Sequence, residues 1–181
     1  MKTTHTRTPA GEALRVAIKG VEGIKGRVGW FDSAKYPDGT SVAYVATIQE
    51  FGYASIPPRL GMRNLRTRKQ NEWISEGAQV TRLMCRGELS PTGAMELLAL
   101  KAAGDMRKAI STVQSPPLSE ITLMLREYKL ANPGAPVGGK LVGQMAARVA
   151  KGERATISGS AAKPLNETGY LLATLTHLVG V

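Results

Sequence analysis

A chain of 181 residues with 24 Lys and Arg against 14 Asp and Glu, a formal net charge of +10, has room for one domain with an appendage. Such an excess of positive charge favours an acidic partner: nucleic acid, an anionic surface or another protein. The single cysteine, Cys85, excludes an intramolecular disulfide and fits synthesis in a reducing compartment; no apolar stretch is long enough to cross a bilayer, and the opening MKTTHTRTPAGEA lacks the apolar run of a signal peptide. A soluble, unexported chain made in the cytoplasm, with no membrane partner, is expected.

The first element predicted is a strand over Leu14–Lys19, where apolar and basic residues alternate and Leu14, Val16 and Ile18 form the buried face. GVEGIKG then supplies turn glycines, and RVGWF resumes the alternation at Val28 and Trp30, which together read as an antiparallel hairpin. YPDGT is a turn, after which Thr40 or Ser41 can cap a helix with Val42, Val45, Ala46 and Gln49 at helical spacing and Gly52 at its end. The following SIPPRLG cannot be helical, because its prolines lack donors and bias their predecessors toward extended backbone.

From Met62 to Cys85 the spacing predicts a long helix with Leu65, Trp73, Val80 and Met84 near one stripe and Gly77 as a local weakness. Ser90 followed by Pro91 opens a second long helix, whose stripe Met95, Leu98, Ala102, Met106, Ala109 and Val113 is the cleanest helical period in the chain. After SPP, Ser119 can cap a short helix to Tyr128 with Leu118, Ile121 and Leu125 turned inward. Residues 131–162 are dominated by Gly, Ala and Pro, with helical composition only over Lys140–Lys151, and read as an inserted arm or extended loop. Gly169–Val181 returns to alternation, with Leu171, Ala173, Leu175, His177 and Val179 on one face of a final strand. The fold expected is α+β: a small, mainly antiparallel sheet of N-terminal hairpin and C-terminal strand packed on two long helices, residues 1–130 and 163–181 forming one core domain.

Reactive chemistry has no foothold in this sequence. Two histidines, His5 and His177, and one cysteine give no metal-ligand spacing, and His177 reads as a packed or edge residue rather than a member of a triad. Neither a G-x-G-x-x-G after a strand nor a G-x-x-x-x-G-K-[ST] occurs. Glu72 and Glu76, one turn apart, could share a cation but read better as a solvated face. No cofactor, metal or enzymatic reaction is expected. Half of the net charge lies between Arg59 and Arg86, where Arg59, Arg63, Arg66, Arg68, Lys69, Arg82 and Arg86 face only Glu72 and Glu76. Two readings of Arg63, Arg66, Arg68, Lys69, Arg82 and Arg86 stay open: a solvated face, or a contact with phosphates or an acidic subunit. With no aromatic stacking set beside them, any DNA contact would be nonspecific.

Two motifs carry a resemblance. VAYVATIQEFG (42–52) followed by IPPR (56–59), and KPLNETGYLLATLT (163–176), are similar to the family of tailed-bacteriophage neck and tail-completion proteins, also described as virion morphogenesis or minor tail components. In that family a helix ending in Glu-Phe-Gly leads to a segment near I-P-x-R-P-F; here stand Glu50, Phe51, Gly52, Ile56, Pro57, Pro58 and Arg59, with Leu60 and Gly61 in place of the last two. The closing motif resembles K-P-L-x-D-T-G-x-L, matched by Lys163, Pro164, Leu165, Thr168, Gly169 and Leu171, with Glu167 replacing Asp. The resemblance implies a structural virion protein of the head-to-tail joint (neck, collar or tail-completion subunit), forming a homo-oligomeric ring around the DNA channel and meeting other neck, connector and tail proteins. From the residues themselves, Phe51 should fill the core at a helix end, Gly52 should stop the helix, and Pro57 and Pro58 should hold the exit extended. Pro164, Thr168 and Gly169 should aim the terminal strand back onto the sheet. The alternative from another class is a nonspecific nucleic-acid-binding protein that uses its basic helix directly.

Overall fold

Helix α4 (Pro91–Ser111) is the element against which most others are laid: α1 (Pro9–Val21), β1 (Lys25–Gly29), α3 (Met62–Cys85), α7 (Tyr170–Ala173) and β2 (Thr176–Gly180) all pack on it. The structure is a computed structural model that describes residues 8–59, 61–165 and 167–180; His5, Leu60, Asn166 and Val181 lie outside the described residues. The remaining elements are α2 (Val42–Phe51), α5 (Glu120–Ala131), α6 (Gly139–Ala150) and a 3-10 turn at Gly159–Ala162. The fold is α+β, with one antiparallel ribbon in which β1 and β2 pair from Lys25 opposite Gly180 to Gly29 opposite Thr176. The terminal strand therefore does return to the N-terminal part of the chain, but beside Lys25–Gly29, so that of RVGWF only Arg27, Val28 and Gly29 are paired and Trp30 and Phe31 lie beyond the strand.

The first limb of the expected hairpin is not a strand. Leu14–Lys19 is the middle of α1, because the Thr8 hydroxyl accepts from the Gly11 N–H at the helix start, Pro9 occupies the first turn without losing a bond, and Glu12 and Lys19 suit the two ends of the dipole. Six alternating residues cover less than two helical turns and are compatible with either period, so the cap decides. The consequence is an inverted face: Ala17 is buried, while Leu14, Val16 and Ile18 are exposed, Ile18 by 64%.

Local signals hold elsewhere. Ser41, Ser90 and Ser119 each cap the helix that follows by accepting from the backbone three residues on. Gly52 ends α2 at φ 79, and α3 runs through Gly77 without a break. Gly169, at φ 70, turns the chain into α7, so the final strand begins only at Thr176; Leu171 and Leu175, one helical turn apart, are the buried pair. One core cluster gathers Val42, Ala46, Ile110 and Leu171 with Trp30, Tyr36 and Leu165 around it; a second, at the far end of α3, gathers Ala17, Met84 and Ala94.

The α4 stripe is only partly covered. Ala94, Ala99, Ala103, Ala109 and Ile110 are its buried residues, whereas Met95, Leu98, Ala102 and Met106 are half-buried along a trough between α3 and β1. Residues 131–162 contain α6, which buries Met145 and packs on α5, and the stretch after α6 is tied back to α5 where Glu120 and Glu127 accept from the Ala155 and Thr156 N–H groups.

Candidate functional site: a braced corner

Helix α2 presents Val42, Ala46 and Glu50 to the interior at i, i+4 and i+8, which places a carboxylate where the apolar pattern calls for a hydrophobe. Glu50 is 3% exposed. Its Oε2 accepts from the N–H groups of Gly61 (2.9 Å) and Met62 (3.0 Å), and its Oε1 from the N–H of Arg63 (2.9 Å). The first turn of α3 lacks a side-chain cap of its own, so Glu50 supplies from another helix both the acceptors and the negative charge that a helix N-terminus attracts. The Arg63 guanidinium adds Nε to Oε1 at 3.4 Å and donates Nη2 to the Glu50 carbonyl at 3.1 Å.

Phe51 does not fill the core as expected. One residue beyond Glu50 on the helix, it falls on the outer flank with Tyr44, seven positions earlier, and is 61% exposed, with Arg63 stacked on its ring at 4.6 Å. The inward position at this helix end belongs to Glu50, because three backbone donors reward a carboxylate there more than a ring.

Arg59, also buried, braces the corner in another direction. Its N–H donates to the Gln49 carbonyl (2.7 Å), its Nη1 to Gln49 Oε1 (2.9 Å), and its Nε and Nη2 to the carbonyls of Pro116 (3.0 Å) and Pro117 (3.4 Å), beyond the end of α4. Prolines have no N–H for a neighbouring strand to pair with, but their carbonyls remain strong acceptors, and a planar guanidinium serves two at once. Burial pushes the Arg59 pKa below its ordinary value, and the nearby Arg126 charge lowers it further.

The second motif meets the first here. Pro164 is buried, Leu165 adopts a left-handed φ of 63, and Leu165 and Leu171 line the same small void as Glu50 and Arg59. Arg126 of α5 holds the entry, its Nη1 donating to the carbonyls of Ala161 (2.9 Å) and Lys163 (2.7 Å). Burial lowers its pKa, and Glu167, 3.7 Å from Nε, opposes that shift. Thr168 Oγ1 accepts from the Tyr170 N–H at 3.3 Å, and the Trp30 indole donates to the Leu171 carbonyl at 2.8 Å. The bracing bonds of Arg126 and Trp30 were not legible in the sequence because their partners lie 37 and 141 residues away. Glu50 carried a readable signal, since it stands in phase with Val42 and Ala46.

The basic residues do not form one surface. Arg63 turns back onto Glu50 and Phe51, Lys69 pairs with Glu72, and Arg86 lies 3.9 Å from Glu88. Arg66, Arg68 and Arg82 are exposed and make no ion pair among the described residues. Glu72 and Glu76 do share a cation, and it is the chain's own: the Lys101 ammonium lies 3.3 Å from one and 2.6 Å from the other. His177 faces Glu96 at 2.9 Å. Among the described residues no group of three or more His, Cys, Asp or Glu could hold a metal ion, and no helix is long and apolar enough to cross a membrane. No family model, curated protein or solved structure matches the chain.

Proposed function

We propose that this chain is a structural virion protein of the head-to-tail joint of a tailed bacteriophage, a neck, collar or tail-completion subunit that assembles into a ring around the DNA channel. One observation carries the reading. The two motifs on which the resemblance rests, more than a hundred residues apart, converge on one corner where Glu50, Arg59, Leu165 and Leu171 surround a common void. Glu50 and Arg59 are engaged in holding backbone, and a side chain whose donors or acceptors are spent on helix ends and carbonyls sets geometry instead of turning over a substrate. A fixed corner suits a subunit that must present its faces at constant angles to identical neighbours, as closure of a ring demands. Imaging particles labelled with an antibody fragment against this chain tests the proposal: label at the portal-to-tube junction is expected, and particles without label there would sink it.

Arg66, Arg68 and Arg82, exposed and without an ion pair among the described residues, favour one rival, a free nonspecific nucleic-acid-binding protein. That rival predicts tight duplex binding by the isolated chain with a steep salt slope. Rings that bind duplex weakly support the neck subunit.

A further inference from the structure

Two largely exposed apolar surfaces of the described residues lie at opposite ends of α3. At the N-terminal end, beyond the Glu50–Gly61 junction, Tyr44 and Phe51 share the outer flank of α2, and the chain then makes a tight turn in which Tyr53 and Ile56 exchange backbone hydrogen bonds. Tyr53 is 65% exposed. At the C-terminal end, Ile18 and Val21 of α1, with Ile24, Val80, Met84 and Met95, line an apolar groove of about 320 Å³ that opens into the trough over α4. With 1.5 Å per residue along α3, the two surfaces are roughly 30 Å apart.

We infer that the Tyr44–Ile56 corner of one copy docks into the α1-end groove of the next, a head-to-tail contact between unlike surfaces. The inference rests on the ring reading above and adds to it the two faces that meet. The corner is exposed and mostly aromatic, and the groove is mostly aliphatic. The exposed parts of Tyr44, Phe51, Tyr53 and Ile56 come to roughly 450 Å², about the apolar share of one side of a standard interface. Because the two surfaces differ and are far apart, one copy can engage two neighbours at once, and the contact propagates until it closes. Each copy carries a charge of +10, so the contact must overcome mutual repulsion and should strengthen with added salt.

The test uses two exposed-site variants of the full chain. Tyr53→Asp with Ile56→Asp disables the corner; Ile18→Asp with Val21→Asp disables the groove. Light scattering should find each variant monomeric where the native chain is assembled, and an equimolar mixture should stop at a heterodimer, since one intact corner then faces one intact groove. Should either aspartate pair fail circular dichroism as a folded chain, Tyr53→Ser and Ile18→Ser replace them, each weakening association about tenfold. A bismaleimide linking Cys at position 54 (Ala54→Cys) to the native Cys85 in the groove should give intermolecular cross-links that Cys85→Ser removes. Rings that persist in both variants overturn this contact and leave the ring reading standing. A native chain that stays monomeric at every concentration overturns both. A corner variant that still pairs while the groove variant does not would mean that α1 faces meet each other, and would also overturn it.

Discussion

At the N-terminal end of α3, buried Glu50 and Arg59 hold their neighbours through hydrogen bonds to charge; at its C-terminal end, Ala17, Met84 and Ala94 pack through small apolar surfaces. Directional bonds fix how α2, α3 and the segment after α4 cross. Close packing fixes only how near α1 and α4 come, and it leaves a groove open beside them. A charge-braced joint loses whole sets of bonds when one side chain goes, whereas an apolar contact loses area in proportion to what is removed. Damage at the charge-braced end should therefore exceed damage at the apolar end.

The largest effect is expected for Glu50→Ala, which strips three backbone donors and the Arg63 guanidinium of their acceptor; urea unfolding should show a loss of about 3–5 kcal/mol. Arg59→Met comes next, at about 2–4 kcal/mol, because the Gln49, Pro116 and Pro117 oxygens lose their donors; Arg59→Lys should recover little, since an ammonium cannot span two carbonyls in a plane. A loss for Arg59→Met no larger than for an exposed arginine such as Arg82 would erase the distinction between the two ends.

At the apolar end, a Cβ on Gly20 would stand 2.5 Å from the Pro91 ring, which cannot swing aside. Gly20→Ala should cost about 1–3 kcal/mol by forcing α1 away from α4, with a lower unfolding midpoint as the readout. The smallest effect belongs to the exposed Lys101 ammonium and its two carboxylates. Hydrogen bonds from Lys69 and Lys101 hold the Glu72 pKa below 4.5, so its stabilisation is present above that value and is lost as pH falls through the lowered one. Hydrogen bonds to Glu76 and Glu72 raise the Lys101 pKa above 10.5, so its share is present below that value and is lost as pH climbs through the raised one. The unfolding midpoints of the native chain and Lys101→Met should differ slightly at neutral pH and converge at both extremes.

Much of the fold was legible because its signals are local. Ser41, Ser90 and Ser119 cap helices from their own backbone, Gly52 and Gly169 take left-handed turns that other residues resist, and the proline-rich exit cannot be helical wherever it lies. Leu14–Lys19 misled because its pattern is too short to separate two periods, and the deciding Thr8–Pro9 cap lies outside it.

Sequence by itself determined where most helices start and stop, that the last strand returns to the N-terminal part of the chain, and that charge is concentrated on α3. Only the tertiary structure decided which donors meet the inward Glu50 carboxylate and that Phe51 lies outside, that Arg63 and Lys69 are spent on the chain's own carboxylates, and that Arg59 and Arg126 reach carbonyls 57 and 37 residues away. The reason is range: a cap or turn is settled among neighbours in the chain, but whether a buried charge is tolerated depends on acceptors and donors that folding alone brings within 3 Å.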